Sequence, residues 1–155
     1  MRNKMRPFFV LVMAILAFMK PISLFAQMTT VYPIQLQWNG VGEVRNANDT
    51  VLYIGLESAE YEGVMPVYCQ SFPIYDDAVK VQVKLSNVKA NSLSEEELQV
   101  AEKYSYSADF EVNAQPLRSR DESLLSVRIV PFRQVGGMIE KLLSATLSVT
   151  LTPDF

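Results

Sequence analysis

Strict alternation of apolar and polar residues near the end of the chain is the feature that most constrains the fold. Alanine, leucine and valine alternate with serine and threonine over residues 144–151, and a period of two places the apolar side chains on one face of a β-strand. Residues 125–129 alternate in the same way, and the intervening segment contains Gly136 and Gly137, which favour a tight turn. The pattern predicts a hairpin with one apolar face that further strands must cover.

Five further segments have the composition of strands, because they alternate or form short apolar runs bounded by turn residues. They cover residues 31–38, 51–56, 64–74, 79–85 and 104–112. Pro66 and Pro73 cannot donate to a sheet ladder, so the third of these runs is predicted at a sheet edge or a bend. Residues 57–63 and 113–122 are predicted as irregular loops. Short strands separated by frequent turns predict a mostly β fold, an antiparallel β-sandwich of about seven to nine strands.

One short helix is predicted from Ser94 to about Glu102. Ser94 followed by three glutamates matches a capping box, in which the Ser94 hydroxyl and the Glu97 carboxylate each accept a hydrogen bond from the other residue's backbone N–H. A calcium site on Glu95, Glu96 and Glu97 is the alternative, but carboxylates at a helix start also interact favourably with the helix dipole. We therefore predict a structural role for this cluster.

The N-terminal segment has the layout of a secretory signal peptide. Three basic residues precede an apolar run over residues 8–19, and Ala26 offers a small residue before a predicted cut ahead of Gln27. A membrane anchor is the alternative, but a spanning helix needs about 20 apolar residues, and a lysine and a proline end this run. We therefore predict that residues 1–26 are removed and that residues 27–155 form one exported β-sandwich domain.

The charge of the predicted mature chain argues against a nucleic-acid partner. Removal of residues 1–26 deletes four basic residues and no acidic ones, so 14 Lys and Arg fall to 10 against 17 Asp and Glu. The formal net charge then moves from −3 to −7. An acidic domain without a basic run does not offer a surface that would attract phosphate backbones.

The sequence offers little for the catalytic and metal-binding arrangements that depend on histidine or on several cysteines. The chain contains no histidine, which excludes Cys-His and Ser-His-Asp arrangements and histidine-based zinc sites within it. Cys69 is the single cysteine, and its apolar neighbours in sequence predict a buried structural side chain rather than a reactive thiol. We therefore predict no catalytic, cofactor-binding or metal-ligating residue in this chain, and no cofactor.

Two weaker patterns each have two interpretations. Trp38 and six of the tyrosines could form a carbohydrate-stacking platform, but alternation places Trp38, Tyr104 and Tyr106 on apolar faces and favours core packing. Residues 49–51, with the sequence Asp-Thr-Val, could be a glycosylation site of an exported bacterial protein. A polar turn at residues 46–49 before a strand is the simpler interpretation.

Five segments together resemble the N-terminal β region of gingipain-type cysteine peptidases. They are residues 62–68, 79–85, 93–97, 126–133 and 140–143. The resemblance extends over most of residues 30–151, and within the family it is greatest to the surface sortases of the type IX secretion system. It implies that this chain is the non-catalytic N-terminal domain of a longer exported peptidase. The caspase-like domain with the catalytic cysteine and histidine would follow Phe155, so the resemblance assigns no catalytic residue to this chain.

The resemblance also implies partners and a location. The parent protein would be a cysteine endopeptidase that processes the C-terminal sorting signals of secreted cargo at the outer membrane. The expected partners are a downstream catalytic domain or other surface secretion components, through which the chain could associate with the outer membrane. The expected location is the periplasm, the outer membrane or the cell surface. The alternative is a free-standing exported β-sandwich that acts in binding or adhesion and carries no enzyme.

Overall fold

The computed structural model describes residues 27–76 and 79–154. Within these ranges the chain forms ten β-strands and one short α-helix, α1, between the sixth and seventh strands. In chain order the elements are β1 (Met28–Gln35), β2 (Trp38–Asn46), β3 (Asp49–Leu56), β4 (Ala59–Glu62), β5 (Met65–Ile74), β6 (Val79–Ser92), α1 (Glu95–Ala101), β7 (Val112–Ser119), β8 (Glu122–Ile129), β9 (Phe132–Val135) and β10 (Met138–Pro153). The signal peptide predicted at residues 1–26 lies outside the described residues. In the described part, no helix has the length and apolar character to span a membrane.

The strands form two four-stranded sheets and one separate hairpin, and all their pairings are antiparallel. Sheet I has the order β1-β10-β6, with β9 also paired to β10, and sheet II has the order β4-β5-β8-β7. Strands β2 and β3 pair with each other and form a hairpin that we call the arm. This architecture confirms the predicted mostly β, antiparallel fold with one short helix.

The main core contains the inward-facing residues of sheets I and II. Alternate residues of β10 and β8 point into it and are almost fully buried. They are Ala145, Leu147, Val149 and Leu151 of β10 and Leu125, Val127 and Ile129 of β8. Burial of a large aliphatic side chain of this kind contributes about 1.5 to 3 kcal/mol relative to its exposed state. The period-two pattern therefore predicted the inward face of both strands correctly.

The predicted hairpin between residues 125–129 and 144–151 is wrong. Strand β8 pairs with β5 and β7 in sheet II, whereas β10 lies at the centre of sheet I. The Gly-Gly turn instead joins β9 to the start of β10, and Gly136 and Gly137 have φ angles of 56° and 82°. These left-handed conformations are the ones that two-residue hairpin turns require. Alternation identifies the apolar face of each strand, but it does not reveal whether two such faces share a sheet or meet across the core.

The strand predicted at residues 104–112 is also wrong, because residues 102–111 are irregular. Tyr106 packs against Phe132, with ring centroids 5.6 Å apart, in a second cluster of buried residues. Phe110 belongs to the main core instead. Tyr106 and Phe110 therefore pack in two different cores, and they do not share one face of a strand.

Two segments predicted as loops contain strands. Residues 113–122 belong to the hairpin of β7 and β8, and residues 57–63 contain β4. Both β7 and β4 lie at the edges of sheet II, where one side of the backbone has no strand partner among the described residues. Charged residues and proline are typical of edge strands, so Pro116 can lie within β7. The same composition made these segments resemble loops.

The prediction that the run with Pro66 and Pro73 lies at an edge is correct locally. Strand β5 is an inner strand of sheet II, but β4 pairs with residues 65–68 and β8 pairs with residues 68–74. Pro66 thus pairs with β4 at a position that β8 does not reach, and Pro73 pairs with β8 at a position that β4 does not reach. At each proline, β5 pairs with only one described strand, so the missing N–H does not interrupt either ladder.

A second, smaller core lies between α1, the base of the arm and strands β5, β9 and β10. It contains Ile54, Met65, Val100, Ala101, Phe132 and Ile139. Trp38, predicted at the end of a strand over residues 31–38, instead begins β2 and packs against both cores. Its ring N–H donates to the carbonyl of Leu142 at 2.8 Å. Trp38 therefore joins the arm to sheet I.

A buried ion pair fastens α1 to β10. The Nζ of Lys141 lies 2.9 Å from both carboxylate oxygens of Glu97, and the Glu97 side chain is 5% exposed. Ser94 and Glu97 also form the predicted capping box, with both hydrogen bonds at 3.2 Å. Burial alone would raise the pKa of Glu97, but the hydrogen bonds from Lys141 and Ser94 outweigh it and hold the pKa below its usual value of 4.5. The structural interpretation of the glutamate cluster is therefore confirmed at Glu97.

Candidate interaction surface

The arm extends beyond the part of the molecule that supports it. Near its base, Val41 packs on the second core and Ile54 is fully buried within it. Beyond Gly42, every residue of β2 is exposed, and the tip at Ala47 and Asn48 is exposed as well. An isolated two-stranded hairpin is at best marginally stable in water. The outer half of the arm is therefore held mainly by its base and by its contacts with the neighbouring β4–β5 segment.

A groove of about 500 Å³ lies between the arm and the β4–β5 segment. Its lining residues are Val44, Asn46, Val51, Tyr53, Tyr61, Gly63 and Val64. Valine and tyrosine dominate this set, and Asn46 brings the one side-chain amide. The hydroxyl of Tyr104 lies close to Gly63, so a third tyrosine borders the same region. The groove is thus largely apolar and aromatic.

The two tyrosine rings in the groove are fixed in place. Tyr53 and Tyr61 meet edge to face, with ring centroids 5.9 Å apart and an interplanar angle of 89°, which is a favourable aromatic geometry. The Tyr61 hydroxyl accepts from the N–H of Leu56 and donates to the carbonyl of Ile54, both at 3.1 Å. The ring of Tyr53 lies over Gly42, where an added Cβ would come within 2.4 Å of it. Contacts within the chain therefore hold both tyrosine rings of the groove in position.

Charged side chains neighbour the groove in sequence but do not line it. Glu43 and Arg45 alternate with Val44 along β2, so they lie on the opposite face of the arm and pair with each other at 3.5 Å. Glu60 and Glu62 alternate with Tyr61 in the same way, and both pair with Arg128 of β8. The groove thus presents an uncharged surface on a chain that carries many carboxylates.

The sequence located only part of this surface. The prediction of core packing is confirmed for Trp38 and Tyr106, but it is wrong for Tyr104, which is 43% exposed. Tyr53 lies in β3 and Tyr61 lies in β4. The sequence predicts a loop at β4 and so offers no reason to place the two tyrosines in contact. The polar turn before β3 is confirmed, because residues 47–48 form a turn and β3 begins at Asp49. Thr50, the acceptor in the alternative glycosylation pattern, is exposed.

Cys69 lies on the outer face of sheet II and is half-buried, so the prediction of a buried side chain with apolar neighbours is wrong. It pairs in register with Arg128, because the core-facing residues of β5 and β8 alternate with these two positions. Partial burial raises the pKa of the thiol, and the nearby Glu60 carboxylate raises it further. Arg128 acts in the opposite direction but more weakly. The expectation of low thiol reactivity therefore stays, although its physical cause differs from the predicted one.

Low reactivity of Cys69 can be measured with a thiol reagent at neutral pH. We expect slower modification of the native chain than of the urea-unfolded chain, because the thiolate is the reacting form and a raised pKa reduces its population. Glu60→Gln should accelerate the native reaction more than Glu62→Gln, since Glu60 has the larger effect on the thiol pKa. Modification of the native chain as fast as that of the unfolded chain would contradict this explanation.

Among the described residues, no group of three or more Cys, Asp or Glu side chains is placed to hold a metal ion. The three glutamates at the start of α1 diverge in environment, since Glu97 is buried against Lys141 whereas Glu95 and Glu96 are exposed.

The comparisons with known proteins concern the fold. No protein-family model and no curated protein matches the sequence. A chain in the complex of the RgpB pro- and mature domains of Porphyromonas gingivalis matches with 12% identity and a TM-score of 0.52, over 81% of this chain and 80% of that chain. A structure that addresses the zymogenic latency of gingipain K from the same organism matches with 12% identity and a TM-score of 0.53, over 86% of this chain and 96% of that chain.

Each match covers most of this chain and most of the matched chain. The matched chains are therefore about as large as this one, which is the size of a single domain. The similarity therefore lies with the gingipain pro-domains, and this chain has their fold. At 12% identity the similarity concerns the fold, and it transfers no individual residue role. This result supports the fold that the sequence resemblance implied.

Proposed function

We propose that this chain is the non-catalytic N-terminal domain of an exported peptidase precursor and that it associates with a catalytic domain encoded after Phe155. The observation that carries the proposal is the gingipain pro-domain fold, which extends over 86% of the chain. A pro-domain of that fold is seen in complex with a mature domain in the RgpB structure. The absence of histidine from the sequence agrees with a supporting role rather than a catalytic one.

Export is part of the proposal. The basic flank and short apolar run of residues 1–26 support secretion with cleavage before Gln27, and the domain would then act in the periplasm, at the outer membrane or at the cell surface. Strand β1 begins at Met28, so the proposed cut would leave sheet I complete at its N-terminal end. The mass of the exported chain would reveal the cut in the same material that is used for the binding experiment.

A finer form of the proposal assigns the precursor to the type IX secretion system as a surface sortase that processes C-terminal sorting signals. Its support is the end of the predicted signal peptide at Ala26-Gln27, together with the resemblance of the segments at residues 62–68, 79–85, 93–97, 126–133 and 140–143. The expected partners in that case include other surface secretion components. Retention of unprocessed cargo in a strain that lacks the whole precursor would support this role, and normal cargo processing would exclude it.

The test of the proposed function separates the chain from the polypeptide encoded directly downstream of it. We expect the two polypeptides, produced separately and mixed, to co-elute as a complex, with peptidase activity present only in the downstream polypeptide. A reading frame that stops at Phe155, or the absence of a complex, would contradict the proposal. Peptide cleavage by this chain alone, abolished by a substitution within it, would overturn its non-catalytic assignment.

A free-standing binding or adhesion domain is the second candidate function. The apolar groove is compatible with this function as well as with association with a peptidase, because a groove of this kind fits a protein partner from either source. The reading frame distinguishes the two candidates. A stop codon after Phe155 would leave the free-standing binding domain, and several hundred further residues with a cysteine and a histidine would favour the peptidase precursor.

A further inference from the structure

We infer that the groove between the arm and the β4–β5 segment is the docking site for an apolar, uncharged segment of the attached catalytic domain. This inference rests on the proposed function, since it names the surface through which the two domains would associate. It concerns Val44, Val51, Tyr53, Tyr61 and Val64, which supply the apolar walls of the groove. No catalytic role is assigned to any of them.

The polar groups of the groove indicate the chemistry of its occupant. The Tyr61 hydroxyl already accepts one hydrogen bond and donates another to the backbone of β3, so its donor is engaged. Asn46 is the one lining residue whose side chain carries an amide. A sugar needs several polar partners for its hydroxyls, and the groove offers few of them. The lining therefore fits aliphatic, proline or aromatic side chains better than a carbohydrate.

Charge complementarity leads to the same occupant. All seven lining residues are uncharged, and the neighbouring Glu43, Arg45, Glu60 and Glu62 lie on the opposite faces of their strands. A charged group that entered the groove would lose water without gaining an ionic partner, which is costly. The occupant is thus expected to be neutral where it enters, with any charged contacts at the rim.

The form of the arm favours a protein partner. Val44 lies in the outer half of the arm, and its side chain is 50% exposed, although β-branched side chains are usually covered in stable sheets. Tyrosine residues that are fixed before binding are typical of the centres of protein interfaces, because little conformational entropy remains to be lost. Docking of a neighbouring domain on this face would cover the exposed outer half of the arm.

The test compares the same substitution at two valines of similar exposure. Val44→Glu places a carboxylate in the groove, whereas Val31→Glu places one on β1, where Val31 is 56% exposed and points away from the main core. Binding of each variant to the separately produced downstream polypeptide would be measured by calorimetry. We expect Val44→Glu to weaken binding by about tenfold or more and Val31→Glu to change it by about twofold or less. Thermal unfolding of both variants would establish that each is folded.

Each outcome of the comparison has a defined meaning. If the unsubstituted chain does not bind the downstream polypeptide, the proposed function and the docking site both fail. If it binds and Val44→Glu binds equally well, the docking site alone is wrong and the proposed function stands. Should Val44→Glu fail to fold, Val44→Thr, which adds a hydroxyl at nearly constant volume, replaces it with an expected loss of about threefold. Unchanged binding by Val44→Thr in that case would overturn the inference.

Discussion

Replacement of Lys141 by alanine is expected to lower the free energy of unfolding by about 3 to 5 kcal/mol. The substitution removes the ammonium group that lies 2.9 Å from both oxygens of Glu97 and leaves a carboxylate buried without its cation. It also removes the cation that lies 5.4 Å from the centre of the Trp38 ring. Urea unfolding followed by circular dichroism would measure the change.

The double substitution Glu97→Gln with Lys141→Met is the matched control. It removes both charges and keeps similar side-chain volumes, so we expect a smaller loss than for Lys141→Ala alone. A double variant that is less stable than Lys141→Ala would contradict the explanation, because it would show that side-chain packing, and not the unpaired charge, accounts for the loss.

The same pair gives the domain a defined pH dependence. The pKa of Glu97 is lower in the folded chain than its usual value of 4.5, so the folded state favours the ionised form. The resulting stability is fully present above pH 4.5 and is lost as the pH falls through the folded-state pKa. Glu97→Gln should therefore lose less stability than the unsubstituted chain over this acidic interval.

Replacement of Phe132 by alanine is the second substitution with a large expected effect, a loss of about 3 to 5 kcal/mol. Phe132 is 1% exposed in the second core, and its ring lies 5.4 Å from Trp38 and 5.6 Å from Tyr106. The cavity left by its removal would loosen the packing between α1, the arm and β9, because these elements meet around this ring.

Val135→Ala tests whether the effect comes from burial rather than from the strand as a whole. Val135 lies in β9 with Phe132 but is 49% exposed, so its truncation should change stability by about 0.5 kcal/mol or less. Equal losses for Phe132→Ala and Val135→Ala would show that strand propensity dominates in β9 and would contradict the proposed role of the second core.

Local patterns predicted the features of the fold that depend on few neighbours. Alternation predicted the inward faces of β8 and β10, because successive side chains of a strand point to opposite faces. The capping box at Ser94 and Glu97 followed from spacing alone, since both hydrogen bonds lie within one helical turn. The turn at Gly136 and Gly137 was predicted correctly, because glycine readily adopts the positive φ angles that both residues have in the structure.

Features that depend on distant segments could not be predicted. The placement of β8 and β10 in opposite sheets is determined by the packing of complete strands, and a single apolar face is compatible with either arrangement. The groove combines Tyr53 of the arm with Tyr61 of β4, so it exists only once the two hairpins lie side by side. No spacing in the sequence indicates that contact.

The position of β10 has a consequence for the order of events in synthesis and in the proposed export. Strand β10 is the last described strand to be synthesised, yet it pairs with β1, β6 and β9. Leu151 pairs with Met28, which is more than 100 residues away in the sequence. Sheet I can therefore close only when nearly the whole domain has left the ribosome, and contacts so distant in sequence form slowly. A nascent chain that is exported would thus remain open enough to thread through a narrow channel and would complete its central sheet on the far side.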